Sequence, residues 1–247
     1  MAVPDTLCGW GNKQKAAYFL ENADVIVPRR RDQLGTLLGL FTAPADAAFA
    51  VIDLGAGFGA VTQEILTRYP RATVTCVDGS SEMMALARDR LAPYSARVRF
   101  CLADLADASW HSALGGPFDA AVSALAIHHL TDDRKRALYR ETFDLLRPGG
   151  LFLNNDLVAA PPALKDRFEA LNLQVIQDQE RARRGTARPL EEIRAEMHEQ
   201  LRMAGDRHQS HIAPMRDQLQ WLLDAGFKSV DCYWKYLDIA IFGGVKQ

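Results

Sequence analysis

From residue 48 onward, short β-branched and apolar runs alternate with helical patterns, and few folds accept that order. "AFAVIDLG" reads as a strand and "FGAVTQEILTRYP" as a helix. "ATVTCVDG" is a strand, "SSEMMALARDRLAPY" a helix, and "RVRFCLAD" and "FDAAVSALAI" are further strands. "TDDRKRALYRETFDLLRPGG" is a helix closed by Pro148 and two glycines, and "LFLNNDLV" is a fifth strand. Such alternation implies a parallel sheet with helices on both faces. The strands are almost continuously apolar, as strands buried on both faces must be. Near the end, the helix "MRDQLQWLLDAGF" leads into "KSVDCYWKYLDIAIFGGVK", two strands joined around Tyr236–Leu237. So short a connection permits only antiparallel pairing, and the last strand is expected to run against the others.

Two parts break the rhythm. "GNKQKAAYFLEN" and "VPRRRDQLGTLLGLF" precede the first strand and read as helices, the second with Pro28 near its first turn. Residues 159–212 carry no strand signal; two amphipathic stretches, "PALKDRFEALNLQVIQDQERARR" and "PLEEIRAEMHEQLRMAG", are separated by a Gly-Thr-Ala-Arg-Pro break. An insertion at the carboxyl end of a strand lies over the face where doubly wound sheets bind ligands. We therefore expect one domain over 1–247, with residues 1–45 and 159–212 forming a helical cap over the site.

Composition bounds the partners. Hydrophobic residues make up 48% and charged residues 24%, a soluble globular balance with ample material for a core. The formal net charge of −2 supplies no basic field and argues against nucleic acid. No apolar run approaches the ~20 residues that span a bilayer. The first residues lack a basic leader followed by an apolar stretch, so a cytoplasmic location is expected. Cys8, Cys76, Cys101 and Cys232 form no C-x-x-C pair and read as reduced thiols, the middle two inside strands. His198, His208 and His211 have no cysteine or nearby acid to complete a ligand set, and no metal is expected.

The turn "DLGAGFG" follows the first strand and opens a helix. A helix N-terminus offers free amide donors and partial positive charge, so this is an anion or nucleotide site. Gly55, Gly57 and Gly59 are spaced G-x-G-x-G, whereas a dinucleotide fingerprint reads G-x-G-x-x-G with Ala60 at the third position. The glycines alone leave both ligand classes open. Three acids add to them. Asp78 ends the second strand, where a carboxylate takes ribose hydroxyls; Asp104 ends the third and would reach an adenine amino group. Asp53 precedes the first glycine by two residues, which suits a ligand bearing an ammonium better than a pyrophosphate.

As a whole, the pattern resembles the class I S-adenosylmethionine (SAM)-dependent methyltransferases, from about Asp53 to the end. The resemblance is carried by "DLGAGFG", "VDGSSEMM", "LADL", "FDAAVSALAIHHL", "LRPGGLFLNND" and "LLDAGFKSVDCYWKYLDIAIFGGVK", in that order. It implies a doubly wound, mostly parallel α/β sheet of order 3-2-1-4-5-7-6 with strand 7 antiparallel. It also implies SAM as cofactor and S-adenosylhomocysteine (SAH) as product. Carried over by position, Gly55, Gly57 and Gly59 admit the methionyl part of SAM. Asp53 orients the loop and faces the ammonium, and Asp78 takes the ribose. Met83 packs on an adenine face, Asp104 accepts from the adenine amino group, and the Leu105 amide meets the ring. Ser123 and Ala124 lie where a backbone carbonyl accepts from the ammonium.

The expected reaction is in-line displacement of a methyl group onto a small-molecule acceptor. A base is needed only where the acceptor holds its proton, and His128 and His129 are the nearest candidates. Adjacent strand-end side chains diverge, so at most one of the two is expected to face the methyl group; the alternative is a histidine that hydrogen-bonds a loop or caps the following helix. Arg30 and Arg31, Trp221 and Trp234 are candidate acceptor contacts. Arg181, Arg183, Arg184 and Arg188 suit either an acidic ligand or a solvated face. A homodimer is compatible with this reading. The insertion and the final strands also resemble the enzyme that makes carboxy-SAM for tRNA wobble-uridine modification. In that family an arginine on the helix before "AGF" neutralises the added carboxylate. Here Trp221 stands at that place, with Arg216 the nearest arginine, so ordinary SAM is expected. Rivals of another class are a dehydrogenase and a nucleotide-binding module without catalysis.

Overall fold

The structure, a computed structural model, describes residues 21–203 and 211–247. Most of "GNKQKAAYFLEN", together with Cys8 and His208, therefore lies outside the described residues. A helical turn over 21–26 leads into α1 (Arg30–Gly39). Then follow β1 (Ala50–Leu54), α2 (Ala60–Arg68), β2 (Thr73–Asp78), α3 (Ser81–Arg90), β3 (Val98–Leu102) and β4 (Phe118–Ala124). The second half comprises α4 (Asp132–Leu145), β5 (Leu146–Leu157), α5 (Lys165–Arg184), α6 (Leu190–Met203), α7 (Met215–Asp224), β6 (Lys228–Tyr236) and β7 (Ile239–Val245).

The seven strands form one sheet of order β3-β2-β1-β4-β5-β7-β6. β1 pairs in parallel with β2 and β4, as do β2 with β3 and β4 with β5; β7 runs antiparallel to both β5 and β6. This is the expected doubly wound topology. The reversal follows from the two-residue turn at Leu237–Asp238, where Leu237 takes φ 52°. β5 and β7 lie side by side so closely at Gly243 that a Cβ there would stand 1.9 Å from the Phe152 carbonyl oxygen.

Side chains alternate between two cores. Ile52, Leu54, Ala121 and Phe152 face α4 and α7, whereas Val51, Cys76, Val122 and Leu153 face α1, α2 and α3. Both outer strands are less buried, and Leu102 on β3 is 51% exposed.

One boundary differs from the sequence reading. β5 begins at Leu146, five residues before "LFLNNDLV". Pro148 excludes its predecessor from helical backbone, and Leu146 already adopts φ −85°, ψ 148°. Leu146 pairs with Phe118 before a register shift, so the glycines form a bulged start of the strand rather than a helix-closing turn.

The α5–α6 hairpin has its own small core of Leu173, Ile176 and Ile193. Glu180 is 1% exposed; it accepts from Arg188 at 2.5 Å and Arg184 at 3.5 Å, and Arg188 also reaches Glu196 at 2.6 Å. Arg184 and Arg188 thus neutralise carboxylates within the insertion. The hairpin is bonded to the N-terminal segment: Gln179 accepts from Arg29 N at 2.8 Å and donates to the Val25 and Val27 carbonyls, and Arg184 donates to Asn22 Oδ1 at 2.6 Å. Among the described residues no helix is long and apolar enough to cross a membrane.

Candidate active site

The carboxyl ends of β1, β2 and β4 carry the glycine turn and its neighbours. Gly55 N and Ala56 N both donate to the Val77 carbonyl, at 2.8 and 2.9 Å, which draws the turn against the end of β2. Gly55, Gly57 and Gly59 have φ of 69°, 53° and 77°, backbone that an L side chain rarely adopts. Their surroundings differ. A Cβ on Gly55 would stand 2.3 Å from the Ala126 Cβ, so this glycine admits the β4 loop. A Cβ on Gly57 would meet nothing within 4 Å, which leaves the middle of the turn open to approach.

Asp78 pins that turn. Its Oδ2 accepts from Gly57 N and its Oδ1 from Ser80 N, each at 2.8 Å. A carboxylate has about four lone-pair directions, so two remain for further donors. Burial pushes its pKa up, the two backbone amides act against that, and Asp104 adds repulsion. Asp53 lies beneath the turn, 1% exposed, and accepts from Thr62 Oγ1 of α2 at 2.6 Å. Burial raises its pKa to about 7; the Thr62 hydroxyl lowers it and the Asp78 charge raises it further.

The other predicted cofactor residues surround these. Met83 is buried against Phe58 and Ala23, so part of the N-terminal segment lies against the second-strand motif. Asp104 caps its own loop, Oδ1 accepting from Ala106 N at 2.8 Å, and it sits beside Gly79. Leu105 is held from behind by Arg134, whose Nε donates to its carbonyl at 2.6 Å. Arg134 in turn grips Glu141 with two bonds of 2.8 and 2.6 Å, and Trp110 Nε1 donates to the same carboxylate at 2.6 Å. Ser123 Oγ donates to the Leu54 carbonyl at 2.8 Å, tying β4 to the base of the turn, and Ala124 is half-buried beside it.

His128 and His129 do not end a strand; they form a 3-10 turn, Ile127–His129, with their rings 4.0 Å apart. The two histidines differ. His128 is 6% exposed and its Nδ1 lies 2.5 Å from Asp156 Oδ1, while its backbone N–H donates to Asp156 Oδ2 at 2.9 Å. Asp156 is wholly buried. Burial acts to raise its pKa, but the His128 ring and the amides of Leu157 and His128 prevail and hold it low. With Asp156 ionised, its Oδ1 accepts from Nδ1–H, and in that tautomer the lone pair of the ring sits on Nε2. His129 is half-buried.

The four candidate acceptor contacts do not come together; Arg30 is the nearest to the glycine turn, within electrostatic reach of Arg90, whose guanidinium stands 4.6 Å over the Phe58 ring. Arg30 pairs with Asp24 at 2.5 Å, and Arg31 is exposed. Trp221 is 7% exposed in the core shared by α4 and α7, with the Arg136 guanidinium 4.6 Å over its ring. Trp234 is on the edge strand β6, four places from β1 in the sheet order, about 19 Å away at ordinary strand spacing. Arg216 is 87% exposed and bonds its neighbour Asp217. A cavity of about 170 Å³ lined by Phe41, Phe49, Asp119, Arg147 and Leu151 opens at the opposite, amino edge of the sheet, away from these groups.

Sequence reasoning missed Asp156, Thr62, Arg134 and the buried pair Asn155–Gln33. Asn155 Nδ2 donates to Gln33 Oε1 at 2.8 Å, and Gln33 Nε2 donates to the Pro28 carbonyl at 2.6 Å, fastening α1 to the end of β5. One signal was available: "NND" is three polar residues at the end of an otherwise apolar strand.

Residues 51–150 match the family model described as a methyltransferase domain. Among curated proteins, the chain is 29% identical over 157 residues to a release factor glutamine methyltransferase of Chlorobaculum tepidum, covering 59% of this chain and 53% of that protein. It is 35% identical over 117 residues to a malonyl-[acyl-carrier protein] O-methyltransferase of Geobacter sulfurreducens, covering 47% and 41%. The chain thus spans about half the length of the curated relatives it matches. Human N-acetylserotonin methyltransferase in complex with SAM superposes with a TM-score of 0.62 at 17% identity, over 99% of this chain and 61% of that one, a likeness of fold.

Proposed function

We propose that this chain, which carries a methyltransferase domain over residues 51–150, transfers a methyl group from SAM to a small-molecule acceptor that holds its proton until transfer. The observation that carries the proposal is the glycine turn pinned by Asp78, with Asp53 beneath it and Asp104 beside it. The residues present fit SAM. The open side of Gly57 gives the methionyl group room against the backbone, and the remaining lone pairs of Asp78 take the ribose hydroxyls. Asp104 and Leu105 serve the adenine, with Met83 packing on it. Ser123 and Ala124 place backbone at the ammonium end. The charge of Asp53, disfavoured by burial, is relieved by the ammonium, and that of Asp78, also disfavoured by burial, by hydrogen bonds from the ribose hydroxyls. The bound group supplies a methyl already activated on positive sulfur.

What remains for the chain is to hold the acceptor, exclude water and take a proton. His128 Nε2 is the proton acceptor in this reading, with Asp156 stabilising the imidazolium that forms. A base of this kind suits a hydroxyl or phenol; a carboxylate acceptor would need none. Residues 21–39 and the α5–α6 hairpin, bonded to each other through Gln179 and Arg184, are the cap in this reading. A covered site favours a small acceptor over a folded protein. The arginine of α7, Arg216, is 87% exposed and bonded to Asp217, so that helix offers no arginine to a carboxylated donor group, which favours plain SAM over carboxy-SAM.

The test is incubation with SAM labelled with a deuterated methyl and a panel of hydroxylated and phenolic small molecules, followed by mass spectrometry. Label in a hydroxyl compound is expected. Label confined to a protein or a carboxylate acceptor would overturn the acceptor assignment, and carboxy-SAM released from the purified protein would overturn the donor.

A further inference from the structure

We propose that Lys135 is a positioning residue that ties the segment returning from the helical insertion to the backbone of His128. Seating the insertion and aligning the His128–Asp156 pair then become one structural event. The proposal rests on the reading of His128 as proton acceptor.

Lys135 stands in the first turn of α4, fully buried. Both facts are costly. A cation near a helix N-terminus works against the helix dipole, and a buried ammonium must have its protons taken up. Asp132 answers part of this, accepting from Nζ at 3.0 Å, but Asp132 is itself half exposed. The other bond explains the placement: Nζ donates to the carbonyl of His211, far along the chain and the first described residue after α6.

The N–H of His211 donates to the His128 carbonyl at 2.8 Å. Both backbone polar groups of His211 are therefore engaged, one by Lys135 and the other by the histidine turn. Two residues on, the Ala213 carbonyl accepts from Ala159 N at 2.9 Å, so the chain's departure into the insertion and its return are bonded together. His128 N and Nδ1 both meet Asp156 at the end of β5. The bonds thus run from Lys135 through His211 and His128 to Asp156. A shift of the returning segment must pull on the carbonyl of the residue whose ring bears the lone pair. A long stem with three donors suits a lysine to this bridge.

The test compares wild type with Lys135→Met, Lys135→Arg and His211→Pro, without ligand, by amide exchange and by the His128 Nδ1–H proton resonance. SAH affinity is measured by calorimetry. Lys135→Met is expected to accelerate exchange at His211 and Ala159, the two amide donors of this link, on the order of tenfold or more. It should broaden or abolish the His128 resonance and leave SAH affinity within about twofold, because the glycine turn is untouched. Lys135→Arg should restore the resonance in part. Should Lys135→Met not fold, His211→Pro removes the next bond with Lys135 in place and is expected to abolish the same resonance. An unchanged resonance in folded Lys135→Met, or in His211→Pro, would overturn the proposal. Failure of the wild type to bind SAH would instead overturn the reading of the site, and is told apart because exchange and resonance are read without ligand.

Discussion

Asp53→Asn isolates the electrostatics of the glycine turn. Asp53 is 1% exposed with one hydroxyl partner, and burial raises its pKa from 3.8 to about 7. The folded state therefore binds its proton more tightly than the unfolded chain does. Below about pH 4 the group is protonated in both states and contributes nothing to the pH slope. As pH rises from there toward 7, the unfolded chain ionises first and stability falls; above 7 both states are ionised and the loss is constant. A difference of about three pH units corresponds to on the order of 4 kcal/mol, of which about 3 kcal/mol is lost between pH 5 and 8. Asparagine keeps an oxygen for the Thr62 hydroxyl but cannot ionise. Its amide hydrogens add a desolvation cost of about 1–3 kcal/mol, the same at every pH. Urea unfolding at pH 5, 6, 7 and 8 should therefore show wild type losing about 3 kcal/mol more than the variant across the series. Parallel curves would refute the reasoning and mean that Asp53 is ionised and well solvated at pH 5.

Asp78→Ala removes two bonds from backbone amides and two prospective bonds to a ribose; SAH affinity measured by calorimetry should fall on the order of a hundredfold or more. Arg134→Met leaves Glu141 with Trp110 alone and frees the Leu105 carbonyl. Thermal unfolding should report a loss of about 2 kcal/mol, and SAH should bind roughly tenfold more weakly as the adenine loop loosens. Gly243→Ala drives a Cβ to within 1.9 Å of the Phe152 carbonyl oxygen; a loss above about 4 kcal/mol is expected, seen as insoluble protein or a collapsed melting temperature.

The parallel sheet and the reversed last strand were legible because burial on both faces and a two-residue turn each leave few alternatives; the strand order came only from the resemblance. The glycine turn was legible because φ above zero and close approach demand glycine, and the acids after it end strands whose ends are set by apolar runs. The cofactor residues read from the sequence do gather at one edge. His128 and Asp156 are 28 residues apart, and no local pattern announces that a histidine in a 3-10 turn will meet an acid from the neighbouring strand. Thr62, Arg134 and Gln33 read as ordinary helix residues; their partners are fixed only when helices dock on the sheet. The arginine runs left an acidic ligand and a solvated face both open, because the partners of Arg30, Arg184 and Arg188, which are Asp24, Glu180 and Glu196, are set only by the fold. The start of β5 was misplaced because two glycines after a proline end a helix as readily as they open a bulged strand.

The most direct test of the central claim is calorimetric titration of the wild type with SAH and with NAD, repeated on Asp78→Ala. The account predicts one SAH per chain, binding lost or severely weakened in Asp78→Ala, and no heat from NAD. Tight binding of NAD, or SAH affinity unchanged in a folded Asp78→Ala, would contradict it.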